Sequence, residues 1–431
     1  MAAENRKADR YDQGALGKAI ERLYGPSRTG NMVERYTGLS GLVADDMQSL
    51  VGAAGGDQRF YSAPGRTELG GNHTDHNRGH VLCAAVDLDT AACVSPIEGK
   101  RIVIRSEGYE RPIIVDIGEL GPRPEERGST EALIRGVAGG LADRGIAPRA
   151  FVGRVHSRVL PGSGLSSSAA FEVLMAGVLA DLAGVELPAM EVARIGQFAE
   201  NRYFGKPCGL MDQAASAVGG VVAIDFGSME NPGVTRIDYD FAAKGLCLAV
   251  VNTGGSHADL TEDYASIPRE MRAVAALFGV PELRDVDPRE LEARGPEIRS
   301  ACGDRAFLRA LHFMADDARV TRMAAALAAD DLAGYLELVR ESGASSWQLL
   351  QNLYSPAHPT EQGLCVALAL CERTIADDGA WRVHGGGFAG TVQAYLPGDR
   401  LAEFTALMER YFGAGCVLPL TVRRMAAGRL L

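Results

Sequence analysis

The stretch from Phe151 to Leu182 leaves few folding options. Phe151, Val155 and Val159 share one face, and Arg154, His156 and Arg158 share the other, which is the period-two signature of a half-buried strand. The run enters Pro161-Gly162-Ser163-Gly164-Leu165-Ser166-Ser167-Ser168-Ala169-Ala170 without a break. An apolar helix follows through Phe171, Leu174, Val178 and Leu182, and stops at Gly184. Small residues let backbone N–H groups approach an anion closely, and the helix N-terminus adds partial positive charge. The serines can donate hydroxyls or hold a metal. This arrangement suits the phosphates of a nucleotide. No Gly-Lys-Ser/Thr follows, so it is not a Walker loop, and Gly-x-Ser-x-Gly is absent, so it is not a nucleophile elbow. Taken alone, the same residues equally suit a capped helix after a flexible turn.

Around this unit the pattern mixes strands and helices without regular alternation, which predicts an α+β fold rather than a doubly wound sheet. Residues 1–57 read as a helical extension. Phe60–Tyr61 read as a strand ended by a Pro-Gly turn, and Val81 to Val94 as a buried strand pair. A helix is expected over Ala189 to Phe204, with strands at Val221–Phe226 and Leu246–Val251. Helical spacing recurs over 270–278, 305–327 and 332–341. Two short strands, Trp381–Val383 and Thr391–Leu396, flank Gly385-Gly386-Gly387. The expected units are the extension 1–57, a domain over 58–245 with the nucleotide loop, and a second domain over 246–431.

The 431 residues suffice for two domains, and a net charge of −11 argues against nucleic acid or a membrane surface as partner. The first residues are polar, no apolar run approaches a membrane span, and eight cysteines are scattered without a CxxC pair. A reducing, cytoplasmic setting is therefore expected.

Three more segments carry candidate chemistry. Asp212, in Gly209-Leu210-Met211-Asp212-Gln213, is a candidate buried carboxylate, though a helix cap is the commoner use of such a residue. Glu200, on an amphipathic helix, would by itself be a solvated surface acid. His73-Thr74-Asp75-His76, with His80 nearby, could contribute to a metal site, but one short loop rarely supplies a full ligand set.

Together these segments resemble the GHMP kinase family, in its galactokinase branch. That signature reads roughly Gly-Arg-x-Asn-Leu-Ile-Gly-Glu-His-Thr-Asp-Tyr-Asn, and residues 65–77 here read GRTELGGNHTDHN. PGSGLSSSAA (161–170), GKPCGLMDQ (205–213) and HGGGFAG (384–390) resemble its other motifs, with a weaker likeness at 251–264. Order and spacing agree over about residues 60–400.

The resemblance implies a ribosomal-S5-like N-terminal domain, a ferredoxin-like C-terminal domain, and ATP-dependent phosphorylation of a sugar at C1, D-galactose first. It implies Arg66 and Asp212 as the catalytic pair. Pro161, Gly162, Ser163, Gly164, Leu165, Ser166, Ser167 and Ser168 would wrap ATP, and Ser168 and Glu200 would hold Mg2+. Asn72, His73, Asp75, Gly209 and Tyr264 match sugar-binding positions, and a monomer is plausible. Departures cluster on the C6 side of the sugar. The family Glu is Asn72, the family Tyr is His76, Asn-Leu-Ile is Glu68-Leu69-Gly70, and a later Glu-Leu-Asp is replaced within 355–360. Asn72 would bind a C6 hydroxyl and tolerate a C6 carboxylate. That keeps galacturonate, L-arabinose or N-acetylgalactosamine open as substrates, beside a catalytically silent sugar sensor.

Overall fold

The computed structural model describes residues 11–52, 57–159, 164–255 and 260–431. Its strands are β1 (Arg59–Gly70), β2 (His80–Pro96), β3 (Arg101–Ser106), β4 (Ile113–Asp116), β5 (Phe151–Ser157), β6 (Val221–Asp225), β7 (Gly233–Ile237), β8 (Leu246–Asn252), β9 (Ala380–His384), β10 (Thr391–Pro397), β11 (Val417–Leu420) and β12 (Gly428–Arg429). Among the described residues, one sheet runs β12-β1-β2-β5-β3-β4, with β6 joined to β2 and β7 to β6. A second, antiparallel sheet runs β11-β8-β10-β9.

β1 and β2 depart from the sequence expectation. There is no turn at Pro64-Gly65: β1 continues for 12 residues, with register shifts between Pro64 and Arg66 and between Glu68 and Gly70. A bulge accommodates a residue without an N–H, so Pro64 bends the strand without ending it. The expected strand pair over 81–94 is one 17-residue strand, buried from Val81 to Ser95. Its continuous apolar character follows from cover on both faces. β6 pairs with its first half and β5 with its second.

On one face lie the helices Thr130–Ala142, Ser167–Leu182, Ala189–Ala199 and Met211–Val218, whose core includes Phe151, Val155, Leu174 and Val178. The helices Gln13–Tyr24 and Thr29–Asp46 cover the other face, packing Leu16, Ile20, Tyr36 and Val43 on Phe60, Cys93 and Val152. Asp12 caps the first of these by accepting the Ala15 N–H at 2.9 Å. Buried Asp89 anchors this cover: Arg35 Nη1 donates to it at 2.7 Å, and Tyr24 and Ser62 donate their hydroxyls.

The helices Asp304–Ala328 and Leu332–Ser345 fill the space between the sheets, where Met323 and Val339 meet Leu82 of β2 and Leu248 of β8. The chain end returns to the first sheet, since β12 pairs with β1 and Val422 bridges to Val86. Covering the β1 edge satisfies backbone groups that would otherwise form an open template. All eight cysteines are free. Among the described residues, no helix is long and apolar enough to cross a membrane.

Candidate active site

Arg66 lies at the β1 bulge, and Asp212 in the first turn of the helix Met211–Val218. Arg66 Nε donates to Asp212 Oδ1 at 2.6 Å, and Arg66 Nη1 to the Gly164 carbonyl at 2.5 Å. Ser166 Oγ donates to the other Asp212 oxygen. Burial would raise the Asp212 carboxyl, but the Arg66 cation and the hydrogen bonds from Arg66 and Ser166 outweigh it and hold the carboxyl below its usual range. The loop is shaped for this contact. Ser166 sits at φ 58°, in the left-handed region that non-glycine residues seldom occupy. Gly164 has φ +73°, and a Cβ there would meet Thr391 Oγ1 at 2.8 Å. Leu165, Ser167 and Ser168 complete the described part of the loop, while Pro161, Gly162 and Ser163 lie outside the described residues.

Glu200 is not the surface acid that its helix pattern alone suggests. The α-helix ends at Ala199 and widens into a π turn over Glu200–Phe204, and Glu200 is 3% exposed. Ser168 Oγ donates to Glu200 Oε1 at 3.2 Å, and Lys206 Nζ stands 3.6 Å from the same oxygen. Gln213 Nε2 bridges Glu200 Oε2 at 3.0 Å and Glu172 Oε2 at 2.9 Å. Burial, then the neighbouring Glu200, pushes the Glu172 carboxyl well up. Sequence reasoning missed Glu172, Lys206 and Gln213. Gln213 adjoins Asp212 in a motif already singled out, whereas Glu172 looks like any helical Glu. A hydroxyl and a carboxylate beside a phosphate-type loop form an oxygen donor set that fits a hard cation sharing ligands with phosphate and water. Among the described residues, no three His, Cys, Asp or Glu side chains converge as a metal cluster.

The expected sugar-binding residues divide. Asp75 Oδ2 lies 2.6 Å from where a Cβ of Gly209 would stand, so Gly209 makes room for that carboxylate. His73, at φ 61°, shares a 2.9 Å hydrogen bond between Nε2 and the Gly386 carbonyl. Burial, then the adjacent His76, lowers its imidazole to about 4, so it is neutral near pH 7. Tyr264 donates its hydroxyl to the Gly387 carbonyl at 2.9 Å.

Asn72, expected to reach a C6 hydroxyl, spends its amide on protein groups. Its Nδ2 donates to Glu68 Oε1 at 3.2 Å and the Gly385 carbonyl at 2.6 Å. Its Oδ1 accepts from Asn352 Nδ2 at 2.8 Å and Ser346 Oγ at 3.3 Å. Two donors and two acceptor sites are all that an amide has, and protein groups take all four. Glu68 in turn accepts from Arg382 Nη2 at 2.6 Å. Neither Glu68 nor Arg382 was a candidate from sequence, because the residues that meet here are 314 positions apart.

Two cavities adjoin the loop. One of about 290 Å³ is polar, lined by Arg66, Ser166, Lys206, Asp212 and the Gly385–Gly387 turn. The other, of about 530 Å³, opens beyond Ser167 and Ser168 and is walled by Tyr109, Ile113, Leu133, Val155 and Phe171.

Comparison with known proteins fits this geometry. Residues 132–220 match the model of the GHMP kinases N terminal domain, and residues 49–96 match the galactokinase galactose-binding signature. A galactokinase of Streptomyces coelicolor is 32% identical over 382 residues, 87% of this chain and 94% of that one. The chain belongs to the galactokinase family. It is an ATP-dependent sugar kinase with the α+β architecture of GHMP kinases. The Lactococcus lactis galactokinase, solved in complex with galactose, superposes with a TM-score of 0.76 at 21% identity, covering 90% of this chain and 99% of that one. The Methanococcus jannaschii mevalonate kinase gives 0.61 at 15% identity, covering 86% and 99%. At these identities the two structures speak for the fold alone.

Proposed function

We propose that this galactokinase-family enzyme transfers the γ-phosphoryl group of ATP to the C1 hydroxyl of D-galactose, giving galactose 1-phosphate and ADP. The observation that carries this reading is the Arg66–Asp212–Ser166 constellation at the foot of the serine loop. Asp212 stays ionised, faces the polar cleft, and accepts the C1 proton. A carboxylate lowered by Arg66 is a weak base, so the proton moves late, once the C1 oxygen is bonding to phosphorus. The C1 O–P bond forms as the bond from the γ-phosphorus to the bridging oxygen breaks, and ADP departs. Arg66 also stabilises charge on the transferring group, and Gly164 to Ser168 present backbone N–H groups to the phosphates.

Ser168 and Glu200 would hold Mg2+, which when bound neutralises phosphate charge. Lys206 reaches the same cleft. The apolar cavity past Ser168 suits a nucleoside base, with Tyr109 and Phe171 as apolar walls. His73, Asp75, Gly209 and Tyr264 form the sugar side. Asp75 selects between epimers, because a misplaced hydroxyl leaves a half-buried carboxylate unpaired once the sugar covers it. The saturated Asn72 amide removes the physical motive for a C6-carboxylate substrate. A monomer in the cytoplasm is the simplest setting.

The test is ADP release with ATP and Mg2+ against galactose, galacturonate, L-arabinose, N-acetylgalactosamine and glucose. Galactose is expected to give the highest kcat/KM. Preference for another sugar overturns the substrate, and silence on all five with tight galactose binding points to the sensor.

A further inference from the structure

This chain and the galactokinase signature differ by an exchange. Where the signature has Asn and, four residues later, Glu, the chain has Glu68 and then Asn72. One acid and one amide are kept, in reversed order. In the structure the two side chains meet. Asn72 Nδ2 donates to Glu68 Oε1 at 3.2 Å, and the same oxygen accepts from Arg382 Nη2 at 2.6 Å. Glu68 is 4% exposed, and Asn72 and Arg382 are fully buried. Arg382 belongs to β9, so the cluster ties the second sheet to β1 of the first. Asn72 also grips the Gly385 carbonyl, His73 bonds to the next carbonyl, and this turn lines the reaction cleft.

We propose that Glu68 and Asn72 work as one coupled unit, with Glu68 a positioning residue that fixes the Asn72 grip on the Gly385 carbonyl and, through it, sets His73 and the Gly385–Gly387 turn for sugar binding. The acid can stand at either position, but not at both and not at neither. A glutamate at position 72 beside Glu68 replaces the donating amide with a second carboxylate in a buried site. An asparagine at position 68 beside Asn72 removes the acid to which Arg382 donates. Exchanging both restores one acid and one amide. Glutamate is a methylene longer than asparagine, so an acid from position 72 extends towards Arg382.

The inference rests on the sugar-kinase reading above, and the experiment separates the two. Four full-length proteins are compared: wild type, Asn72→Glu, Glu68→Asn, and the double exchange. Each single variant is expected to raise KM for galactose about tenfold, with kcat and KM for ATP within about threefold, and the double to return KM to within about threefold of wild type. A double variant whose KM rises by the product of the two single effects overturns the coupling. Single variants that lower kcat with KM unchanged overturn the positioning role. Should a single variant not fold, a folded and active double is itself rescue, while a double that does not fold counts against the unit. Glu68→Gln keeps an acceptor for Asn72 but lacks the charge for Arg382. It should raise KM less than Glu68→Asn, and an unchanged KM contradicts the proposal. If wild type ignores galactose, the substrate reading fails, and the cycle is read on whichever sugar it phosphorylates. If it phosphorylates none, the cycle is read on unfolding midpoints, where additivity again overturns the unit.

Discussion

Strand β1 carries two charged residues on one face, two positions apart, and uses them in opposite ways. Arg66 supplies the cation of a pair whose acid, Asp212, has a side chain 32% exposed to the cleft. Glu68 supplies the acid of a pair whose cation, Arg382, is fully buried. At the open pair, Arg66 and the hydrogen bonds overcome burial, and the acid is lowered. At the sealed pair burial dominates over Arg382 and Arg66, and the acid is raised to about 7. Similar contact distances thus give one group ready for chemistry and one used to hold two sheets together. What separates them is access to the cleft and how the hydrogen bonds fall, one on each oxygen of Asp212 but both on Oε1 of Glu68.

The contrast breaks most easily at Asp212. Asp212→Ala should lower kcat roughly 10³-fold while barely moving the unfolding midpoint, as read by ADP release and thermal denaturation. Arg382→Met should do the reverse. Breaking a buried pair from one side costs about 3–5 kcal/mol in urea unfolding, with kcat of the folded protein kept within about tenfold. If Arg382→Met instead matched Asp212→Ala in kcat, the two pairs would not be functionally distinct. A smaller effect is expected at Ser166, where Ser166→Ala removes one hydrogen bond to an ionised acid, about 1.5 kcal/mol or roughly tenfold in kcat/KM.

The acids should also differ in pH response. Because Asp212 is lowered, the kcat/KM profile should show no acid limb from this group above about pH 5, and a limb near pH 6.5 would contradict its assignment. Glu68 is raised above its unfolded value of about 4.3, so its contribution to stability is fully present below that pH and is lost as pH rises through about 7. Wild type should therefore lose stability relative to Glu68→Gln between about pH 4.5 and 7.5, measured by urea unfolding. A constant difference over that window would show that Glu68 does not titrate there.

What the sequence made legible follows the range of the interactions. The loop from Gly164 to Ser168 and its helix are local, and period and small-residue content reveal them. The pairing of Arg66 with Asp212, 146 residues apart, came only through resemblance to a known signature. β1 was misread because Pro64-Gly65 favours a turn locally, while pairing with β2 on one side and β12 on the other carries the strand through a bulge. The inward Glu200 was hidden because a π turn breaks the 3.6-residue period on which face assignment rests. The Asn72 network was beyond reach. Its partners Ser346, Asn352 and Gly385 arrive from helix and loop segments more than 270 residues away, and no pattern around position 72 records them.

In the proposed function Asp212, ionised and open to the cleft, serves transfer of phosphate to C1 of galactose. The most direct measurement is the product itself, identified by phosphorus NMR after incubation of ATP, Mg2+ and galactose with wild type and with Asp212→Asn. Wild type should give galactose 1-phosphate and Asp212→Asn almost none, although the variant stays folded and binds ATP. Galactose 1-phosphate formed by Asp212→Asn at the wild-type rate, or phosphate on another hydroxyl in the wild-type product, would contradict it.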